Sequence, residues 1–129
     1  KNASGEAVDV WGTGSPQRDF IFVDDLADAC VFIMKQYGEE QAPINIGGGG
    51  VYSIKELAEL IQQVVGYDGE LRFDRTKTDG MPIKILDSSL LNGMGWKPNT
   101  PFVTALGETY DWFLQVEQKV RSADVREIL

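Results

Sequence analysis

Apolar and polar positions in this chain switch between a period of two and a period near 3.6, and the switches divide it into short elements. Residues 7–11, AVDVW, alternate as a short strand; Gly12, Gly14 and Pro16 then break the pattern as a loop, and residues 20–23, FIFV, read as a second strand. Asp24 stands where a helix cap is expected, ahead of a stripe formed by Leu26, Ala27, Cys30, Val31 and Met34. That helix should run to about Tyr37, with Gly38 as a left-handed stop.

Residues 43–47, PINIG, predict another strand before the glycines at 47–50. Ser53 with Glu56 three residues on forms a capping box. The helix it opens presents Leu57, Leu60, Ile61, Val64 and Val65 on one face and ends at Gly66. Residues 70–74 alternate as a half-buried strand, residues 76–82 form a loop with a turn at Asp79-Gly80, and residues 84–87 are extended. A short helix through Ser89, Leu90 and Leu91 stops near Gly93, followed by a turn over residues 95–98. Thr100-Pro101 starts a last helix with Leu106, Tyr110, Phe113 and Leu114 on one side. Few, scattered strands among about four helices predict a small α/β lobe rather than a complete doubly wound sheet.

Composition narrows the picture. The 129 residues, 43% hydrophobic, suit one compact domain over 1–129, without internal repeats or linkers. Twelve basic against twenty acidic residues give a net charge of −8, which argues against a nucleic-acid partner, so any anionic ligand must be held by a local basic cluster. The single cysteine, Cys30, lies on the predicted apolar stripe and is expected in the core. No apolar run approaches the ~20 residues of a membrane span. The N-terminus lacks a secretory pattern, so a cytoplasmic location is expected. The chain opens without Met, which is compatible with a fragment of something longer.

Candidate chemistry centres on Arg18, set between a Gly/Pro turn and a strand. Its rigid seat and forked, permanently charged donors suit an anion, against the plainer reading of a surface ion pair with Asp19 or Glu6. The glycines at 47–50 imitate a dinucleotide fingerprint only in part. Tyr52 falls where the third glycine belongs, and a plain strand-to-helix turn is the better reading. There is no histidine, no Gly-x-Ser-x-Gly elbow and no metal-ligand spacing, so no catalytic or metal residue is assigned. Asp24-Asp25 reads as helix-start acids, and no Tyr is followed by Lys at the fourth residue after it.

The strings VWGTGSPQRDFIFVDDLADA and TKTDGMPIKILDSSLLNGMGWKP resemble the extended short-chain dehydrogenases, the NAD(P)-dependent epimerase/dehydratase family. The Trp-Gly-x-Gly-x-Pro lead-in and Asp79-Gly80-Met81-Pro82-Ile83-Lys84 are most similar to the branch that epimerises GDP-4-keto-6-deoxymannose and reduces it with NADPH. The resemblance covers nearly the whole chain and implies its C-terminal, substrate-binding region. Substrate contacts then fall on Trp11, Arg18, Asp79 and Lys84. The family's Rossmann domain and its Ser, Tyr and Lys are not encoded in these residues. NADP(H) is implied for the whole enzyme and no cofactor for this chain alone. The implied partners are a GDP-sugar, the N-terminal Rossmann domain and a second subunit of a homodimer. Phe22 departs from the His of many relatives. Two alternatives stay open: the lobe of a UDP- or dTDP-sugar enzyme, and a free-standing small binding module.

Overall fold

The computed structural model describes residues 6–38 and 43–122. The order is β1 (Val8–Trp11), β2 (Gln17–Phe20), α1 (Val23–Gln36), β3 (Gly50–Ser53), α2 (Ile54–Val65), β4 (Leu71–Asp74), β5 (Ile83–Lys84), α3 (Ser89–Gly93) and α4 (Phe102–Ser122). β1 pairs parallel with β4, while β2 is the centre of a second small sheet, antiparallel to β3 and parallel to β5. This is the small α/β lobe expected; among the described residues neither sheet has more than three strands.

Local chemistry fixes several boundaries. The capping box forms in full: Ser53 Oγ accepts the Glu56 N–H at 3.1 Å, and the Glu56 carboxylate accepts the Ser53 N–H at 2.8 Å. α2 ends on Gly66 in the left-handed region, φ 66°, where a side chain would be strained. The loop between β1 and β2, β4 and α3 also fall where predicted, whereas the turn after α3 lies at Met94–Gly95 rather than over 95–98, with the Leu91 carbonyl accepting the Trp96 N–H at 3.3 Å. α4 begins at Phe102, with the Pro101 carbonyl accepting from Ala105 at 3.0 Å, one residue later than expected.

Other expectations need correction. The second strand is Gln17–Phe20, not 20–23, because its antiparallel pairing with β3 starts at Gln17 and the chain turns into helix directly after Phe22. Phe22, not Asp24, is the N-cap; its carbonyl accepts the Leu26 N–H at 2.9 Å, and Asp24 lies in the first turn. At the far end the chain leaves α1 through an extended Tyr37, φ −103°, rather than a left-handed glycine. Residues 43–47 form no strand. β2 already has β3 on one edge and β5 on the other, and Ile44 and Ile46 pack onto the core without ladder bonds.

α1 shows the largest change. Its predicted stripe of Leu26, Ala27, Cys30, Val31 and Met34 is exposed, Met34 at 75%, and Cys30 is not a core residue. The opposite side faces inward: Ala29 joins Leu91 and Trp96 in the buried cluster, with Phe32 and Ile33 beside it. Two acids on that side fasten the chain. Asp28 accepts the Trp96 indole N–H at 2.8 Å, and buried Asp25 accepts the Thr100 N–H and hydroxyl, both at 3.1 Å, at the approach to α4. On α2, Leu57, Leu60 and Val64 are half-buried, whereas Ile61 and Val65 are exposed along an open apolar cleft shared with β1 and α4. Leu106, Tyr110 and Leu114 of α4 are half-buried and Phe113 is exposed. Phe102 ties α4 to the sheet, stacking on Tyr52 at 4.4 Å between ring centroids.

Candidate functional site

Two loops meet at the end of the β1–β4 pair, and the predicted site residues lie on or beside them. Residues 12–16 leave β1 through Gly12 and Gly14, both at positive φ, 87° and 77°. Neither glycine has room for a side chain: a Cβ on Gly12 would strike the Asp79 carboxylate, and one on Gly14 would strike the Phe73 ring. The carbonyls of Gly14 and Pro16 accept from Lys55 and Ile54 at 2.9 and 3.0 Å, which docks the loop on the first turn of α2.

Asp79 locks the second loop to the first. Its carboxylate accepts the Thr13 N–H at 2.8 Å and the Thr13 hydroxyl at 2.7 Å. The Thr13 hydroxyl and then its N–H hold the Asp79 carboxyl below its ordinary pKa. A depressed carboxylate pKa stabilises the folded state above the ordinary carboxylate range, and that contribution is lost as pH falls through the depressed value. Glu56, Asp74 and Asp87 are shifted the same way by the Ser53, Thr76 and Ser89 groups they hold. Thermal stability is therefore expected to be flat near neutrality and to fall once the pH drops below about 4. In Asp79→Asn, melts between neutral pH and strong acid should show a shallower acid loss; an unchanged profile would count against the clamp.

Arg18 is half-buried on β2. Its Nη1 donates to the carbonyls of Gln17 at 2.6 Å and Met81 at 2.8 Å. Among the described residues no carboxylate pairs with it: Asp19 instead accepts the Gly48 N–H. Nε and Nη2, the edge that grips two oxygens at once, make no hydrogen bond to a described residue. Gly80 lies so close that a Cβ there would sit 3.2 Å from Nη2. Lys84 is the register neighbour of Arg18 across β2 and β5, so both cations occupy one face of the sheet. Trp11 ends β1, 74% exposed, one residue before the glycine that abuts Asp79.

All four predicted residues thus belong to one end of the lobe, although Asp79 spends both carboxylate oxygens on Thr13. Sequence reasoning missed Thr13 and Lys77, whose ammonium lies 5.5 Å from the Trp11 ring centroid. Neither position carries a periodic or motif signal, since each gains its meaning from a contact across the fold. The glycine run at 47–50 is a poor dinucleotide cradle, because the Asp19 carboxylate holds the Gly48 N–H that a phosphate would need. Among the described residues no cluster of acids or Cys could hold a metal ion, and no helix is long and apolar enough to cross a membrane.

Known proteins share this framework. The model of the NAD dependent epimerase/dehydratase family matches residues 1–47. GDP-L-fucose synthase 1 of Arabidopsis thaliana is 52% identical over 110 residues, which is 85% of this chain and 34% of that protein. The solved structure of a GDP-L-fucose synthetase from Naegleria fowleri bound to NADP superposes with a TM-score of 0.80 at 28% identity, covering 87% of this chain and 36% of that one. UDP-glucose 4-epimerase from Thermotoga maritima, solved with UDP-glucose, gives 0.75 at 28% identity, over 87% and 36%. The chain belongs to the NAD-dependent epimerase/dehydratase family, and it spans about a third of the length of the curated relatives it matches. Its sequence is 49–52% identical to three plant proteins named as GDP-L-fucose synthases, one of them putative and one probable.

Proposed function

We propose that this chain is the nucleotide-sugar-binding, C-terminal part of a GDP-L-fucose synthase, holding the GDP end of GDP-4-keto-6-deoxymannose. The observation that carries the reading is the Nε/Nη2 edge of Arg18, which makes no hydrogen bond to a described residue, with Lys84 on the same sheet face. That edge takes two diphosphate oxygens and Lys84 adds a compact second cation. Trp11 offers an exposed indole face to the base or a sugar. Asp79 holds the Trp11 loop through Thr13, and its remaining lone pairs can accept from ribose hydroxyls or a guanine amino group.

The epimerisation and the NADPH-dependent reduction belong, on this reading, to residues outside the 129: a Rossmann domain with its Ser, Tyr and Lys. The exposed stripe of α1, with Val23, Leu26, Val31 and Met34, is the surface that domain covers. The whole enzyme is then a cytoplasmic homodimer using NADP(H). A second reading, the lobe of a UDP- or dTDP-sugar enzyme, draws support from the fold shared with UDP-glucose 4-epimerase. Arg18 and Lys84 recognise a diphosphate and do not select its base.

The isolated chain should oxidise no NADPH in the presence of GDP-4-keto-6-deoxymannose, since it lacks a Tyr-x-x-x-Lys pair. Absorbance at the NADPH band checks this. Turnover above a blank, in a preparation free of host enzyme, would overturn the assignment of catalysis to another domain.

A further inference from the structure

One aspartate brings Trp11 and Lys77 together. Asp74 faces Trp11 in the β1–β4 register, and its carbonyl accepts the Gly12 N–H at 2.9 Å and the Lys77 N–H at 3.1 Å. Its carboxylate braces the same turn, accepting the Thr76 N–H at 3.0 Å and hydroxyl at 2.6 Å. The turn therefore starts where the strand pair ends and carries Lys77 back over the indole, with Nζ 5.5 Å from the ring centroid. Among the described residues no carboxylate lies within ion-pair distance of this ammonium.

We propose that Lys77 is a further diphosphate-binding residue, exchanging its contact with the Trp11 ring for a phosphate oxygen when a nucleoside diphosphate sugar enters. The inference rests on the reading of Trp11 and Arg18 as a nucleotide-sugar site. A chain of net charge −8 can hold a polyanion only by gathering cations locally, and Lys77 stands at the same end of the lobe as Arg18 and Lys84. A cation over an exposed ring is held weakly, whereas a phosphate oxygen gives a stronger, charge-assisted bond. The four-carbon stem lets the ammonium exchange one for the other, while the braced turn keeps its root in place. In this exchange the indole face is uncovered for the ligand as the charge is delivered to the diphosphate.

The test is calorimetric titration of the whole enzyme with GDP and with uncharged guanosine, in the parent, Lys77→Met, Lys77→Arg and Arg18→Ala. Lys77→Met keeps the stem and removes the charge, so its GDP dissociation constant should rise roughly three- to tenfold. Guanosine affinity and the melting curve should stay as in the parent, and Lys77→Arg should recover most of the loss. Parent-like GDP affinity in Lys77→Met, with Arg18→Ala weakened, would overturn the role of Lys77 and leave the nucleotide site standing. Equal loss of GDP and guanosine would make Lys77 structural, and a parent that binds no GDP would overturn both ideas together.

Discussion

Arg18→Ala in the whole enzyme should weaken GDP-sugar binding by about ten- to over a hundredfold, because hydrogen bonds to charged groups are worth roughly 1.5–3 kcal/mol. Arg18 is expected to carry more of the affinity than any other residue of the lobe. Among the described residues it alone combines a fixed charge, a two-donor edge that bonds no described residue and a backbone held in the β2 ladder. Arg18→Lys keeps the charge, loses the fork and should recover only part. Lys84→Ala should cost less, since an exposed point charge is screened by solvent. NADPH affinity should hardly change. Dissociation constants for GDP-sugar and NADPH, measured on each variant, separate the outcomes: equal loss of both would mean misfolding, and unchanged GDP-sugar binding would reduce Arg18 to a surface charge.

Trp96→Ala should be the most damaging single change to stability, at about 3–5 kcal/mol. Trp96 is only 6% exposed and packs with Ala29 and Leu91 in the described buried cluster. So small a core has little with which to refill the space. Trp96→Phe should cost less: it keeps most of the ring volume, and exposed Asp28 can take water in place of the indole N–H. Denaturant unfolding midpoints check both variants. A Trp96→Ala protein within about 0.5 kcal/mol of the parent would behave as a surface substitution does and would contradict this placement of the core.

What could be read from sequence was what local interactions decide. The capping box at Ser53 and Glu56, the stop at Gly66 and the turns around Gly12 and Gly95 each need only a few neighbouring residues. α1 was misread because periodicity says that a helix has apolar sides without saying which one a neighbour will take. It has two, and Trp96 selected the side with small Ala29 and the acceptor Asp28. Asp25 looked like an ordinary helix-start acid, yet its partners Asn99 and Thr100 lie more than seventy residues on. Residues 43–47 were read as a strand, and although Ile44 and Ile46 do pack on the core, the sequence could not reveal that no ladder partner was available.

The site divides the same way. Arg18 was legible because a turn, a strand and an arginine in sequence define its seat, and Trp11, Asp79 and Lys84 came from resemblance to a family. Thr13 and Lys77 were not, because Thr13 meets Asp79 across sixty-six positions and Lys77 meets Trp11 across as many. Asp79 itself was read as a ligand contact, and the structure adds its bond to the Thr13 loop.

The central claim is that this lobe holds a guanosine diphosphate sugar. Calorimetric titration of the chain with GDP, UDP and dTDP under one buffer tests it most directly. Saturable binding with GDP clearly tightest is the predicted result, whereas equal affinity for all three, preference for UDP or dTDP, or no binding to any would contradict it.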